Sequence, residues 1–162
     1  MFTHEGGNYG FDAKELKAAT VRSREPSVTG TENLILLAVR TPGVTTIYNA
    51  ACEPHTQDMC NMLVAMGAKI NGIGSNLLTI EGVEKLTGCE WTVISDHLDV
   101  AGFIAAAAMT GGEITITNAV TTHMDLMLET FAKLGIQTVV DREADTIFVP
   151  AKQSRQIEKT IK

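Results

Sequence analysis

Basic side chains and long apolar stretches are scarce in this sequence. The 162 residues carry a formal net charge of −6 at pH 7, which disfavours nucleic acid as a partner because a phosphate backbone needs a basic surface. The longest strongly apolar stretch, residues 100–109, is about half as long as a membrane span. Residues 1–10 contain no basic or apolar stretch of the kind that begins a signal peptide. We therefore expect a cytoplasmic protein that binds neither nucleic acid nor membrane.

Cysteine and histidine are also too few and too scattered to predict a disulfide framework or a metal site. The three cysteines, Cys52, Cys60 and Cys89, are odd in number and show no Cys-x-x-Cys spacing. The four histidines follow no ligand spacing either. The sequence therefore predicts a protein without a bound metal, and nothing in it indicates a cofactor.

What the sequence does contain is the composition of an ordinary globular domain. Hydrophobic residues make up 44% of the chain and charged residues 20%. A length of 162 residues corresponds to one domain and is sufficient to bury a core.

The chain repeats itself at a period of about 69 residues. Residues 43–50 (Gly-Val-Thr-Thr-Ile-Tyr-Asn-Ala) are echoed by residues 112–119 (Gly-Glu-Ile-Thr-Ile-Thr-Asn-Ala), which lie 69 positions later. Two further pairs of segments follow the same spacing to within one residue: 66–67 with 134–135, and 78–80 with 147–149. Repeats of this length are supersecondary units that usually bury their faces against one another.

The first repeat unit, residues 19–83, is interpreted as βαβαββ. Thr29 and Glu32 form a capping-box pattern before an apolar helix, and a second helix with a methionine stripe runs from Pro54 to a terminating Gly67. The predicted strands are residues 19–23, 45–49, 69–71 and 77–80.

The second repeat unit, residues 90–150, gives the same pattern. Val93 and Ile94 are expected to enter as a strand, and the helices are predicted at residues 98–109 and 124–134. The remaining strands are predicted at residues 113–118, 137–140 and 146–149. Because the helix at 98–109 is apolar on nearly every side, we expect it to be covered on all sides. The simplest such arrangement is an α/β fold with helices inside and sheets outside.

The two ends of the chain fall outside these repeats. Residues 1–18, especially 9–16, are expected to form the final hairpin of a preceding unit. Residues 151–162 are polar and basic, and are expected to be a solvated tail or a severed link to another domain. The whole of residues 1–162 is thus interpreted as one partial domain, with about two repeat units and a leftover hairpin.

Three segments carry a resemblance to a known family: residues 27–33 (Ser-Val-Thr-Gly-Thr-Glu-Asn), 49–54 (Asn-Ala-Ala-Cys-Glu-Pro) and 66–76. Their sequences resemble those of the UDP-N-acetylglucosamine enolpyruvyl transferases, also called 1-carboxyvinyltransferases, of bacterial cell-wall synthesis. The resemblance implies domains of repeated βαβαββ units with helices inside and sheets outside, an inside-out α/β barrel. The related 3-phosphoshikimate 1-carboxyvinyltransferase of the aromatic pathway shares this fold but lacks the sequence motif of residues 27–33.

The resemblance also implies a reaction. The family transfers the enolpyruvyl group of phosphoenolpyruvate to the 3′-hydroxyl of UDP-N-acetylglucosamine, the first committed step of peptidoglycan synthesis. Its acid, base and phosphate-binding cations come from a mobile-loop cysteine, a Lys-Asn pair, several arginines and an aspartate, and these motifs are not found in this sequence. Cys52 does not align with the loop cysteine, and we interpret it as a buried or semi-buried structural thiol. The resemblance therefore implies one part of an enzyme, inactive without a second domain.

The resemblance does imply a role for this chain in substrate binding. Ser27, Val28 and Thr29 match the family's stretch that contacts the nucleotide part of the sugar substrate, although Ser27 and Thr29 could instead only cap a helix. Asp96 lies 69 positions after Ser27 and is expected to begin the equivalent helix of the second unit. We expect Ser27 and Asp96 to border one substrate cleft, with Asp96 a possible catalytic residue; the alternative is that Asp96 is only an N-cap.

Other interpretations stay open at this point. The chain could be a repeat scaffold or binding module that does not catalyse, or a fragment of the aromatic-pathway enzyme. Glu53 and His55, on either side of Pro54, have no assigned role. A partial set of repeats would also leave an apolar flank exposed, from which we expect self-association.

Overall fold

The computed structural model describes residues 2–11 and 15–153, and the chain divides into two compact units, residues 1–91 and 92–162. The division lies within two residues of the start predicted for the second repeat, residue 90. Whether either unit is a domain of the native protein stays a prediction. No helix in the described part of the chain is long and apolar enough to cross a membrane.

The first unit begins with a hairpin. Strands β1 (Phe2–Glu5) and β2 (Asn8–Phe11) pair antiparallel around Gly6 and Gly7, which both have positive φ. The hairpin lies within the predicted residues 1–18 and overlaps the stretch 9–16 only through β2. Residues 12–14 are outside the described residues. That the hairpin ends a preceding repeat unit remains a prediction.

The rest of the first unit is a four-stranded sheet with two helices. In chain order its elements are β3 (Thr20–Arg22), α1 (Val28–Ala38), β4 (Val44–Tyr48), α2 (Pro54–Ala65), β5 (Lys69–Asn71) and β6 (Leu77–Glu81). The strands lie in the order β3-β4-β6-β5, with β3 parallel to β4 and the other pairs antiparallel. The predicted βαβαββ order of this unit is confirmed.

One face of this sheet is buried beneath the helices. Buried and exposed residues alternate along β4 and β6, and Ile47 and Ile80 are fully buried. Ile35 of α1 and Leu63 of α2 enter the same core. Burial of each of these side chains contributes about 1.5–3 kcal/mol to folding. The helices thus occupy the inner side of the sheet, as the sequence predicts.

The start of α1 differs from the prediction. The N-cap is Ser27 and not Thr29: Ser27 has extended backbone (φ −69°, ψ 124°), and its Oγ accepts a hydrogen bond from the N–H of Gly30 at 3.2 Å. The expected capping box of Thr29 and Glu32 is wrong because Thr29 already lies within the helix, and the Glu32 carboxylate accepts a bond from Thr56 instead.

The second unit contains a three-stranded antiparallel sheet and two helices. Its elements are α3 (His97–Thr110), β7 (Ile114–Thr117), a 3₁₀ turn (Thr121–His123), α4 (Asp125–Lys133), β8 (Val139–Asp141) and β9 (Thr146–Val149). The strand order is β7-β9-β8. Val149 and Ile147 of β9 and Ile104 of α3 are fully buried at its centre.

The strand predicted at Val93 and Ile94 is wrong, since the described residues of the second unit form no strand before α3. The residues just before Thr92 are held by the first unit. The Thr87 N–H donates to the carbonyl of Met66, and the Trp91 indole N–H donates to the carboxylate of Asp58. This segment therefore follows α2 and does not extend the second sheet.

The apolar helix α3 is not covered on all sides, so that expectation is also wrong for this chain. Val100 and Ile104 are buried, but Leu98, Phe103 and Met109 are 57%, 56% and 74% exposed. The exposed apolar surface keeps the expectation of self-association open.

The turn after β4 and the equivalent turn after β7 are closed by different side chains. In the first unit the N–H of Ala51 donates to the Thr31 hydroxyl at 2.9 Å. In the second unit the N–H groups of Val120 and Thr121 donate to the carboxylate of Asp145 at 3.2 and 2.8 Å, and the Thr121 hydroxyl adds a third bond at 2.8 Å. The N–H of Thr121 is the main cause that lowers the pKa of Asp145 below its usual 3.8, against the opposing effect of burial.

Replacing Asp145 is expected to destabilise the chain and to change its acid sensitivity. Because the folded-state pKa is lowered, the stabilising contribution of Asp145 is complete above the unfolded-state pKa of about 3.9 and is lost as the pH falls through the lower folded-state pKa. We expect Asp145→Asn to lower the free energy of unfolding at pH 7 by about 1–3 kcal/mol and to flatten its dependence on pH in the acid range. Urea denaturation at a series of pH values measures both effects.

The control is Glu143→Gln, which changes an exposed carboxyl on the same hairpin. Equal stability losses for the two variants would contradict this role for Asp145.

Candidate functional site

The loop before α1 brings Ser27 to the edge of the first sheet where the parallel strands β3 and β4 end. The N–H of Ser23 donates to the carbonyl of Tyr48 at 3.1 Å, and the side-chain amide of Asn49 donates to the carbonyl of Ser23 at 3.2 Å. These bonds fasten the loop to the end of β4. The carboxyl ends of parallel strands are where open α/β sheets commonly bind ligands.

The first turn of α1 offers a small group of hydrogen-bond donors at this edge. Ser27 accepts from Gly30 through Oγ, so its hydroxyl hydrogen is available to a further acceptor. In the described part of the chain, the N–H groups of Val28 and Thr29 have no acceptor. The first turn contains no acidic residue that would compete with an anion. These donors at a helix N-terminus suit a phosphate or carbonyl oxygen.

A polar cluster lies behind this turn, between α1 and α2. The hydroxyl of Thr31 is buried with its bond to Ala51, and the Thr56 hydroxyl donates to Glu32 Oε1 at 3.4 Å. Cys60 lies close to Glu32; burial, assisted by the Glu32 charge, raises the pKa of this thiol to about 11. At neutral pH Cys60 is therefore protonated and inert.

Glu53 and His55 lie at the start of α2. Glu53 is the N-cap residue, yet its side chain makes no capping bond, and its Oε2 is buried without a hydrogen-bond partner among the described residues. His55 is exposed in the first turn. Cys52, which directly precedes Glu53, is an exposed free thiol, so the expectation that it is buried or semi-buried is wrong.

Asp96 begins α3, as its spacing from Ser27 predicts. It is the N-cap, and its Oδ1 accepts from the N–H of Leu98 at 2.8 Å. Its side chain is 58% exposed. Since Ser27 and Asp96 belong to different compact units, their common cleft remains a prediction.

A cleft of about 380 Å³ opens in the second unit. Its lining residues are Thr92, Val93, Ile94, Ser95, Asn118, Val120 and Asp145. The predicted site residues are not among them. No group of three or more metal-ligating side chains is found within residues 2–11 and 15–153.

Sequence reasoning did not anticipate the cluster of Thr31, Glu32 and Thr56. One signal was available: the 69-residue repeat aligns Thr31 with Val100. A threonine at the position where the sister helix buries an apolar residue indicates a buried polar contact.

Known enolpyruvyl transferases share this fold. The family model of EPSP synthase (3-phosphoshikimate 1-carboxyvinyltransferase) matches residues 4–162. The enolpyruvyl transferase NikO from Streptomyces tendae has a TM-score of 0.78 at 21% identity, over 93% of this chain and 39% of its own. EPSP synthase from Acinetobacter baumannii has a TM-score of 0.64 at 23% identity, over 91% and 36%. The predicted fold class is thereby confirmed.

Curated relatives named UDP-N-acetylglucosamine 1-carboxyvinyltransferase are more similar in sequence. The protein from Bacteroides fragilis is 49% identical over 160 residues, and that from Borreliella burgdorferi is 46% identical over 145 residues. The matches cover 99% and 90% of this chain but 36% and 34% of the relatives, so the chain spans about a third of their length.

These names confirm the resemblance read from residues 27–33, 49–54 and 66–76, and they do not favour the aromatic-pathway alternative. The assignment of the chain to a family rests on the family model, which matches residues 4–162. By that match, this chain belongs to the EPSP synthase family of enolpyruvyl (1-carboxyvinyl) transferases.

Proposed function

We propose that this chain is the part of an enolpyruvyl transferase that helps to bind UDP-N-acetylglucosamine. The intact enzyme transfers the enolpyruvyl group of phosphoenolpyruvate to the 3′-hydroxyl of this substrate and releases phosphate, in the cytoplasm, as the first committed step of peptidoglycan synthesis. The observation that carries the proposal is the name shared by relatives that are 43–49% identical to this chain. The donors at Ser27, Val28 and Thr29 support it.

The residues at this site are suited to substrate binding and not to proton transfer. Addition of the sugar hydroxyl to C2 of the enol phosphate, with protonation of C3, followed by loss of phosphate and of a proton from C3, needs a proton donor, a base and cations for the phosphate. The first turn of α1 supplies neutral donors only, and the nearby thiol of Cys60 is buried and protonated. These residues can bind and orient a nucleotide sugar, while the proton transfers require groups from another part of the enzyme.

The isolated chain is accordingly expected to have no transferase activity. Each missing acid or base typically accounts for a factor of about 10²–10⁴ in rate. Phosphate release from phosphoenolpyruvate in the presence of UDP-N-acetylglucosamine measures this directly. Turnover at an ordinary enzyme rate would contradict the proposal that the catalytic acid and base come from another part of the enzyme.

Ser27 is expected to contribute to substrate affinity separately from its role as a cap. Ser27→Ala removes both roles, whereas Ser27→Asp keeps a good N-cap but directs a negative charge at the ligand. We expect Ser27→Asp to retain stability within about 0.5 kcal/mol of wild type and to weaken binding of UDP-N-acetylglucosamine about tenfold or more. Thermal melting and isothermal titration calorimetry of the same samples separate the two effects. If Ser27→Asp binds as tightly as wild type, Ser27 is only a cap.

Asp96 is expected to act at the cleft of the intact enzyme. Asparagine caps a helix about as well as aspartate, so Asp96→Asn should leave stability unchanged, while Asp96→Ala should cost about 1 kcal/mol. A cleft residue predicts reduced turnover of the intact enzyme with Asp96→Asn. Unchanged turnover together with the stability loss of Asp96→Ala would assign Asp96 to capping alone.

A further inference from the structure

Two tertiary hydrogen bonds join α1 to the segment that begins α2, and both start from residues just behind the donors of the first turn. The Thr31 hydroxyl accepts from the N–H of Ala51 at 2.9 Å, and Glu32 Oε1 accepts from the Thr56 hydroxyl at 3.4 Å. Thr31 and Thr56 are 1% and 2% exposed. A buried bond of this kind is costly to break, because the N–H of Ala51 would be left without an acceptor.

The second unit shows that the fold does not require this hydroxyl on the helix. Val100 takes the place of Thr31 in α3, and the N–H of Val120, equivalent to Ala51, donates to Asp145 at the start of β9. The equivalent turn is therefore fastened to the hairpin and not to the helix. In the first unit alone, closing the turn also fixes the start of the helix.

We infer that Thr31 is a positioning residue, whose buried hydroxyl holds the first turn of α1 and hence the donors of Val28 and Thr29 in place for the ligand. This inference rests on the proposed function and deepens it. Hydrogen bonds weaken steeply as their geometry departs from linear, so a small displacement of the helix start lowers the affinity for a ligand held by several donors. The bond between Glu32 and Thr56 restrains the same turn from the side of α2.

The test compares two isosteric changes in α1 and its C-terminal end. Thr31→Val removes the positioning hydroxyl. Thr41→Val removes another buried threonine hydroxyl, which donates to the carbonyl of Leu37 at 2.7 Å, at the far end of the helix. Thr31→Ser restores a hydroxyl at the first position. Each variant is titrated with UDP-N-acetylglucosamine by calorimetry and melted in parallel.

A positioning role predicts a loss of affinity that stability does not explain. We expect Thr31→Val to bind about tenfold more weakly than wild type, Thr41→Val to bind within about twofold, and Thr31→Ser to recover most of the loss. Equal weakening by Thr31→Val and Thr41→Val, or no weakening by either, would overturn the inference. If Thr31→Val does not fold, Thr56→Val replaces it, with an expected weakening of about threefold, and unchanged binding would count as the overturning result.

A separate measurement decides the inference if wild type does not bind the ligand, which is the outcome that would defeat the proposed function. Amide hydrogen exchange at Gly30 and Thr31 reports the order of the first turn without any ligand. We expect exchange at both amides to be about tenfold faster in Thr31→Val, and unchanged in Thr41→Val. Unchanged exchange in Thr31→Val would overturn the positioning role whatever the ligand.

Discussion

The fold depends on how the chain leaves the strand that follows the first helix of each unit, β4 in the first unit and β7 in the second. After β4 and after β7 the backbone turns inward toward the helix layer, and its N–H groups enter a region where water cannot satisfy them. One acceptor is supplied by the backbone in both units: Ala50 donates to the carbonyl of Asn76, and Ala119 donates to that of Asp145, each at 3.0 Å. The next N–H along the chain needs a side-chain acceptor, and the two units supply different ones.

Each solution has a different consequence. A carboxylate at Asp145 takes three bonds and ties the turn to the hairpin of β8 and β9, which makes that connection sensitive to acid. A hydroxyl at Thr31 takes one neutral bond and ties the turn to α1. A neutral side chain also suits this position, because a second carboxylate beside Glu32 would raise the cost of burial and repel an anion at the helix start.

Much of the fold could be predicted from the sequence, because local signals and the repeat agree. Gly67 ends α2 in a left-handed conformation with φ of 100°, as its place after an apolar stripe predicts. The start of α1 could not be predicted as well, since Ser27 and Thr29 are both good caps and only the backbone conformation decides between them. Val93 and Ile94, expected to form a strand, lie instead in an irregular segment.

The contacts along α2 are another feature that the sequence pattern does not predict. Residues 84–91 follow the helix through Thr87 and Trp91, which bond to Met66 and Asp58. Such contacts join residues 21 to 33 positions apart and leave no periodic trace in the sequence. The candidate site lies between these cases. Its donors could be predicted from a local motif, and the alignment of Thr31 with Val100 indicates a buried polar contact but does not identify the partner of Thr31.

The exposed apolar face of α3 follows from the same comparison of the two units. In the first unit Leu16 and Val21 line one pocket together with Leu34 and Leu37 of α1 and Thr45 of β4. The repeat aligns Leu34 with Phe103, and in the second unit, within the described residues, no entering strand extends the sheet beside β7. Phe103 is accordingly 56% exposed, whereas Leu34 is partly buried. The first helix of each unit thus exposes apolar surface, since Leu36 and Leu37 of α1 remain 50% and 49% exposed. The segment that enters with β3 accounts only for the difference between Leu34 and Phe103, because its side chains lie near Leu34.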